Sequence, residues 1–369
     1  MISETSTAIV VDNGAGTIKG GLAGDYAPRC MFPTVVGKPK NEAIIVGGDN
    51  KYNYVGDEAI QKRGVLKISR PIEHGNITGS HDMIKIWHHC FYTELLAEIS
   101  EQPLLITETA NASPQNKLEM ASILFETFNC PAVYFMPTPI LSLYSIGKTT
   151  GLVLDSGYDV TSVMPIFEGY SIREAIKTEN YGGKALVDSL MKVYEQRITT
   201  LKGNDAIGNS IKENECSVKD RQGKNRARSA NASVFNLPDG QTLQLGSELT
   251  DIPEQIFNPI EGGYSTKSVQ QLLLDSINEC DEELRQEMAD NTLVVGGNTL
   301  LAGYMERINE EVNLLHPDGV RIETLQDRIY PTWVGGSIYA SISTFHDTCI
   351  TRDEYLKSGP SVVTRKCLL

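Results

Sequence analysis

Two short segments of this chain repeat one pattern. Ile9-Val10-Val11-Asp12-Asn13-Gly14-Ala15-Gly16 is followed by Lys19, and Leu152-Val153-Leu154-Asp155-Ser156-Gly157-Tyr158-Asp159 repeats the theme. Each is a short apolar run ending in Asp, a small polar residue and Gly. A third apolar run ends at Val294-Val295-Gly296-Gly297-Asn298-Thr299. Such runs read as strands. Glycine just past a strand lets backbone N–H groups approach an anion closely. One Asp-x-Gly turn alone reads as an ordinary hairpin. Two of them, each closing a strand, plus the Gly296-Gly297 turn suggest a duplicated domain gripping a nucleotide between its halves. Asp12 and Asp155 would then hold a hydrated metal ion.

Rival phosphate motifs fail. Gly203 to Ser210 has Walker-like glycine spacing but lacks the lysine. Gly14-Ala15-Gly16 opens like a dinucleotide fingerprint and then misses its last glycine, so neither a P-loop nor a Rossmann site is supported. The 369 residues suffice for two domains and a large core. A net charge of −14 argues against non-specific nucleic-acid binding. The seven cysteines are scattered, with no CxxC spacing, which points to a reducing compartment and away from structural zinc. No signal peptide and no membrane-length apolar run is present, so the expected location is cytoplasm, with a nuclear share open. One basic stretch, Lys219 to Arg228, stands against the acidic background as a solvated loop or a docking patch for an acidic surface.

Strands alternate with helical patterns along the chain, which makes the class α/β. His81 to Ile99 has helical spacing, with Met83, Ile86, Trp87, Cys90, Phe91, Leu95 and Leu96 expected on the buried side. Further helices are expected over 116–129, 139–145, 183–195, 269–277 and 303–312, with Gly335-Gly336 opening a last one. His88-His89-Cys90 has no further ligand at suitable spacing and reads as helix surface and core. Acidic clusters at 281–283 and 310–311 read as solvated helix faces.

Longer strings carry a resemblance. Val11-Asp12-Asn13-Gly14, Phe32 to Gly37, Tyr54-Val55-Gly56-Asp57-Glu58, Arg63 to Lys67 and Pro71-Ile72-Glu73-His74-Gly75 stand in the first half. Leu141 to Tyr144, Leu154-Asp155-Ser156-Gly157, Leu237 to Gly240, Trp333 to Ile338, Gly359 to Ser361 and Arg365-Lys366-Cys367 follow. In this order, nearly end to end, they resemble actin. The resemblance implies a duplicated actin-like ATPase fold of two domains, or four subdomains, around a nucleotide cleft. Subdomain 1 would comprise 1–33, 71–145 and 331–369, and subdomain 2 the residues 34–70 with a mobile loop. Subdomain 3 would comprise 146–181 and 265–330, and subdomain 4 the residues 182–264.

The resemblance also implies ATP or ADP with Mg2+ (or Ca2+) as ligands. Asp12 and Asp155 would hold the metal through water. Asn13, Gly14, Ala15, Gly16, Lys19, Ser156, Gly157, Tyr158, Asp159, Gly183, Lys212, Glu213, Gly296, Gly297, Asn298 and Ile329 would contact the nucleotide. Several positions depart from the actin pattern. Ala15 replaces a serine whose hydroxyl meets the terminal phosphate. Thr138 stands for a glutamine that positions water, and Tyr158 and Ser162 stand for an aspartate and a histidine that order it. Ile329 replaces a lysine over the base, and Asn209 an arginine beside it. The charged core is kept and the water-activating shell is stripped, so the expectation is nucleotide binding with weak or absent hydrolysis. Asp159 stands one position from the lost aspartate as a partial replacement.

For assembly, the expected loop tip is Ile44-Ile45-Val46 and the receiving cleft is Tyr144, Thr149, Gly169, Tyr170, Ile338 and Thr344. That cleft would also take actin-binding proteins. The lateral plug is altered to Glu261-Gly262-Gly263-Tyr264, and burying Glu261 unpaired would be costly. Longitudinal contacts are thus better kept than lateral ones. Only Glu4 remains of the acidic N-terminus that meets myosin, which argues against myosin binding. His74 stands where many actins carry a methylated histidine. The first expectation is a divergent cytoskeletal actin-like protein that forms filaments, alone or copolymerised with actin. The alternative is an actin-related subunit of a larger complex, such as a dynein activator, a nucleator or a chromatin remodeller, with structural nucleotide. A sugar kinase of the same superfamily would need a different second half.

Overall fold

The computed structural model describes residues 6–40, 52–110, 112–198, 201, 203–223, 234–237, 240–316 and 318–367. The chain divides into two compact units. Unit 1 is Met1–Thr150, Ile166–Ser171 and Ile329–Leu369, and unit 2 is Gly151–Pro165 and Ile172–Arg328.

The sheet of unit 1 is built on Ile9–Asn13. Its apolar residues are buried on both faces, as expected of a central strand covered by helices. Leu104–Glu108 pairs parallel to it with Val10 opposite Leu105, and Ala132–Pro137 pairs parallel to that with Phe135 opposite Ile106. On the other side Thr17–Leu22 returns antiparallel, placing Lys19 opposite Asp12, and Cys30–Pro33 follows. Unit 2 repeats the plan. Gly151–Ser156 is central, with Thr161–Phe167 on one side. Thr292–Val295 and then Ile322–Glu323 run parallel on the other. In both units an aspartate stands at the C-terminal end of the central strand, with a parallel neighbour ending beside it.

Two helices of unit 1 cross at glycine. Pro331–Ala340 lies so close to Thr138–Tyr144 that a Cβ on Gly335 would come within 1.7 Å of the Leu141 carbonyl oxygen. The sequence expectation that Gly335-Gly336 opens this helix is therefore corrected. The helix starts four residues earlier on Pro331, a favoured first position, and the glycines serve backbone contact in its middle. Trp333 of the same helix is fully buried and donates Nε1–H to the Val10 carbonyl at 3.0 Å.

A second correction concerns Leu96. The α-helix Ser80–His88 continues as a π-helix over His89–Glu94, which shifts the face presented by later residues. Leu96 falls beyond it at φ +51° and is 82% exposed. A third concerns Glu311, which is no solvated helix face. It pairs with buried Arg307 at 2.8 Å, and Glu254 holds the same guanidinium at 2.7 Å. A small sheet of Val36–Pro39, Tyr54–Val55 and Leu66–Ser69 has its own cluster of Val35, Tyr54, Ala59 and Leu66. Ile44, Ile45 and Val46, the expected loop tip, lie outside the described residues, as does most of the basic stretch from Lys224 on.

Candidate functional site

In unit 1 the expected residues converge at the ends of parallel strands, the edge where open α/β sheets hold ligands. Asp12 is buried, and its Oδ2 accepts from Lys19 Nζ at 2.7 Å. Its Oδ1 accepts from Thr107 Oγ1 at 3.0 Å, and Thr107 Oγ1 in turn accepts from the Asn13 N–H at 2.9 Å. Asn13 Oδ1 accepts from Trp87 Nε1 at 3.1 Å. A carboxylate has about four lone-pair sites, so Asp12 keeps acceptor capacity beyond these two bonds.

The turn that follows is held by its carbonyls. Gly14 O accepts from Thr34 Oγ1 at 2.6 Å, Gly16 O from the Thr34 N–H at 3.0 Å, and Ala15 O from Arg70 Nη1 at 3.5 Å. In a trans peptide the N–H points opposite to the C=O. Anchoring three successive oxygens to protein therefore turns the N–H groups of Ala15, Gly16 and Thr17 away from those partners. Gly14 must lack a side chain here, since a Cβ would lie 2.7 Å from the Thr17 carbonyl oxygen. Thr138 opens the helix at the end of the Ala132–Pro137 strand, two strands over from Asp12.

Unit 2 gathers a second polar cluster around its own central strand's end. Ser156 is fully buried, and its Oγ lies 3.2 Å from Thr161 Oγ1 and 3.2 Å from Asn298 Nδ2. Asn298 Nδ2 also donates to the Gly157 carbonyl at 2.8 Å. Gly296, at φ +100°, brings the third turn against the Asp155 loop, where a Cβ would sit 2.4 Å from Ser156 O and 2.6 Å from Asp155 Oδ1. The helix Gly183–Arg197 begins at the same place: Gly183 N–H donates to Gly157 O at 3.0 Å and Lys184 N–H to Tyr158 O at 2.6 Å.

The Lys212 ammonium is buried on the helix Asp205–Glu215. A Cβ on Gly183 would lie 2.8 Å from both Lys212 Nζ and Asn298 Oδ1, so this glycine keeps open the corner that the two polar groups line. Lys212 Nζ also sits 5.7 Å from the Tyr158 ring centroid. Asp159 is buried close to the loop's end. Glu213 is 65% exposed along its side chain and reaches the cluster only at its edge, with Oε1 4.0 Å from Lys212 Nζ. Ser162 lies on the face of its strand opposite Thr161, so Thr161, not Ser162, joins the Ser156 network. Ile329 is half-buried and opens the last segment of unit 1.

The sequence reading named both aspartates, Lys19, Ser156, Lys212, Asn298 and the glycines. It missed Thr34, Arg70, Trp87, Thr107 and Thr161. None of these is adjacent to the glycine turns in sequence; each is brought to them by the fold.

A second patch lies wholly in unit 1. Gly169 N–H donates to Thr149 O at 2.8 Å, and a Cβ on Gly169 would meet Tyr144 Oη at 2.7 Å. Tyr144 stacks on Tyr339, and burial raises the pKa of its phenol. Tyr170 and Ile338 stand 68% and 46% exposed. Tyr339, between Tyr134 and Tyr144, is an addition that the sequence reading did not name.

Among the described residues no group of three or more metal-ligating side chains occurs, and no helix is long and apolar enough to cross a membrane. The family model described as Actin matches residues 3–368, nearly the whole chain. The duplicated sheets with an aspartate at each central strand's end agree with that match, and the chain belongs to the actin family.

Proposed function

We propose that this protein binds ATP or ADP with a divalent cation through the Asp12 and Asp155 loops, hydrolyses it weakly or not at all, and acts in filaments. The observation that carries the reading is the Asp12 loop, where a buried carboxylate is paired with its lysine and the carbonyls of the following turn are anchored to protein. Actins as a family bind ATP or ADP with such an ion. Asp12 and Asp155 would hold the hydrated ion, and Lys19 with the amides after Gly14 would hold phosphate oxygens. Lys212 and Asn298 would face the nucleoside end. The bound cation would supply charge neutralisation at the phosphates.

The groups that would order the attacking water are reduced in this chain. Ala15 has no hydroxyl, Thr138 is short, and Ser162 faces away from the Ser156 network. General acid–base assistance is worth about 10²–10⁴-fold, so its loss slows hydrolysis by at least the lower figure. Asp159 is the remaining carboxylate of the loop. A single-turnover phosphate-release assay on Asp159→Ala tests its part: a further drop assigns the residual rate to it, and an unchanged rate removes it. Binding itself is tested by titrating a fluorescent ATP analogue into native protein and Lys19→Ala. Equal affinity for the two would contradict the site.

Filament formation is supported by the Tyr144, Thr149, Tyr170 and Ile338 patch, which would take a neighbour's loop or an actin-binding protein. One observation favours the second reading, a subunit of a larger complex. At the tip Pro259–Gly262, Ile260 is 81% exposed, but Glu261 beside it is exposed too, so a lateral contact there would bury a charge. The four-subdomain division and a cytoskeletal location belong to the same proposal.

A further inference from the structure

Cys30 and Cys90 are distant in sequence and come together in unit 1. Cys30 opens the strand Cys30–Pro33, directly opposite Gly20. Cys90 lies in the π-helix His89–Glu94. Gly20 stands between the two sulfurs: a Cβ there would meet Cys90 Sγ at 2.8 Å and Cys30 Sγ at 3.0 Å. With only hydrogen in that place, both sulfurs pack against the same glycine and stand as neighbours. Cys30 Sγ also lies 3.7 Å from the Gly20 carbonyl oxygen. Both are free thiols, and among the described residues neither belongs to a cluster able to hold a metal.

We propose that Cys30 and Cys90 are an oxidisable dithiol that a hydroperoxide converts into an intramolecular disulfide. The Cys30 sulfur attacks one peroxide oxygen, forming an S–O bond as the O–O bond breaks, and the displaced oxygen leaves as water with the thiol proton. The Cys90 sulfur then attacks the sulfenic sulfur of Cys30. An S–S bond forms, the S–O bond breaks, and the oxygen leaves as a second water with the Cys90 proton. Two thiols lose two electrons, and hydrogen peroxide gains them.

The order follows from the surroundings. Cys30 is 7% exposed and Cys90 fully buried, so peroxide meets Cys30 first. The neighbouring Cys90 thiol lowers the Cys30 pKa despite burial, and Cys30 together with burial pushes Cys90 up. The more thiolate-like sulfur is the faster nucleophile. The location gives the bond a consequence. Gly20 follows Lys19, the partner of Asp12, and the helix leading to Cys90 carries Trp87, which donates to Asn13. A disulfide would tie the strand Cys30–Pro33, which pairs with the Lys19 strand, to the helix that continues from Trp87.

The test treats native protein with dilute hydrogen peroxide, traps remaining thiols with iodoacetamide after unfolding, and digests without reductant for mass spectrometry. The expected result is a peptide pair joined through Cys30 and Cys90, reversed by dithiothreitol. The pair is lost in both Cys30→Ala and Cys90→Ala, each checked for fold by circular dichroism. Three results overturn the proposal: both cysteines still alkylated after peroxide treatment, Cys30 overoxidised with Cys90 untouched, or a cross-link that forms only in urea.

Discussion

Lys19 and Asp12 form a pair whose side chains are only 10% and 8% exposed. Breaking a buried pair from one side costs about 3–5 kcal/mol, because the partner charge is left uncompensated. Lys19→Ala is therefore expected to lower the urea midpoint of unit 1 well beyond a surface lysine control. A midpoint matching that control would mean Asp12 is solvated. Thr107→Val is a finer probe. It removes the bonds to Asp12 Oδ1 and from the Asn13 N–H, at about 1–3 kcal/mol for the group left unsatisfied, with little change in volume. Its effect, too, is read from the urea midpoint. These residues also show what a sequence discloses. Asp12 and Asp155 were legible because strand, carboxylate and glycine are consecutive. Thr107 was not, because the contact to Asn13 spans 94 residues and exists only once two parallel strands align.

At the scale of elements, close approach dominates. Gly296→Ala would demand a left-handed φ of an L side chain and set its Cβ 2.4 Å from Ser156 O. The expected outcome is a lower melting temperature, with exchange protection lost first around Ser156 and Gly157. Intact protection there would show that the third turn can move aside. The glycine turns were readable as turns, but Gly335 was misread as a helix start. Only the crossing with Thr138–Tyr144 explains it, and a crossing has no local signature.

Asp82 ties the helix Ser80–His88 to the small sheet. Burial would raise its pKa, but hydrogen bonds from Lys38, Ser69 and Lys85 outweigh this and bring it down to about 2. A carboxylate depressed in the folded state contributes stability that is full above its ordinary value of 3.8. That stability is lost as pH falls toward the folded value. Urea titrations through this acid range should show a steeper loss in native protein than in Asp82→Asn, and parallel slopes would contradict the assignment.

For the molecule as a whole, the duplication was foreseen from two strings and is present as two sheets of one plan. The pattern survives because each half must bury a central apolar strand while leaving its aspartate at the end. Assembly is less constrained by the sequence, since interfaces are set by surface residues such as Ile260 and Glu261. High-speed pelleting over a concentration series in Mg-ATP, with negative-stain imaging, is expected to give a critical concentration and visible filaments. Protein soluble at every concentration would favour the complex subunit instead.

The central claim is that nucleotide is held while water activation is lost. It is tested most directly by isolating native protein with radiolabelled Mg-ATP, removing free nucleotide on a desalting column, and following phosphate release from the bound fraction in a single turnover. The account predicts near-stoichiometric retained ATP and phosphate release at least about 100-fold slower than from a conventional actin filament. Protein that retains no nucleotide, or that releases phosphate at the conventional rate, would contradict it.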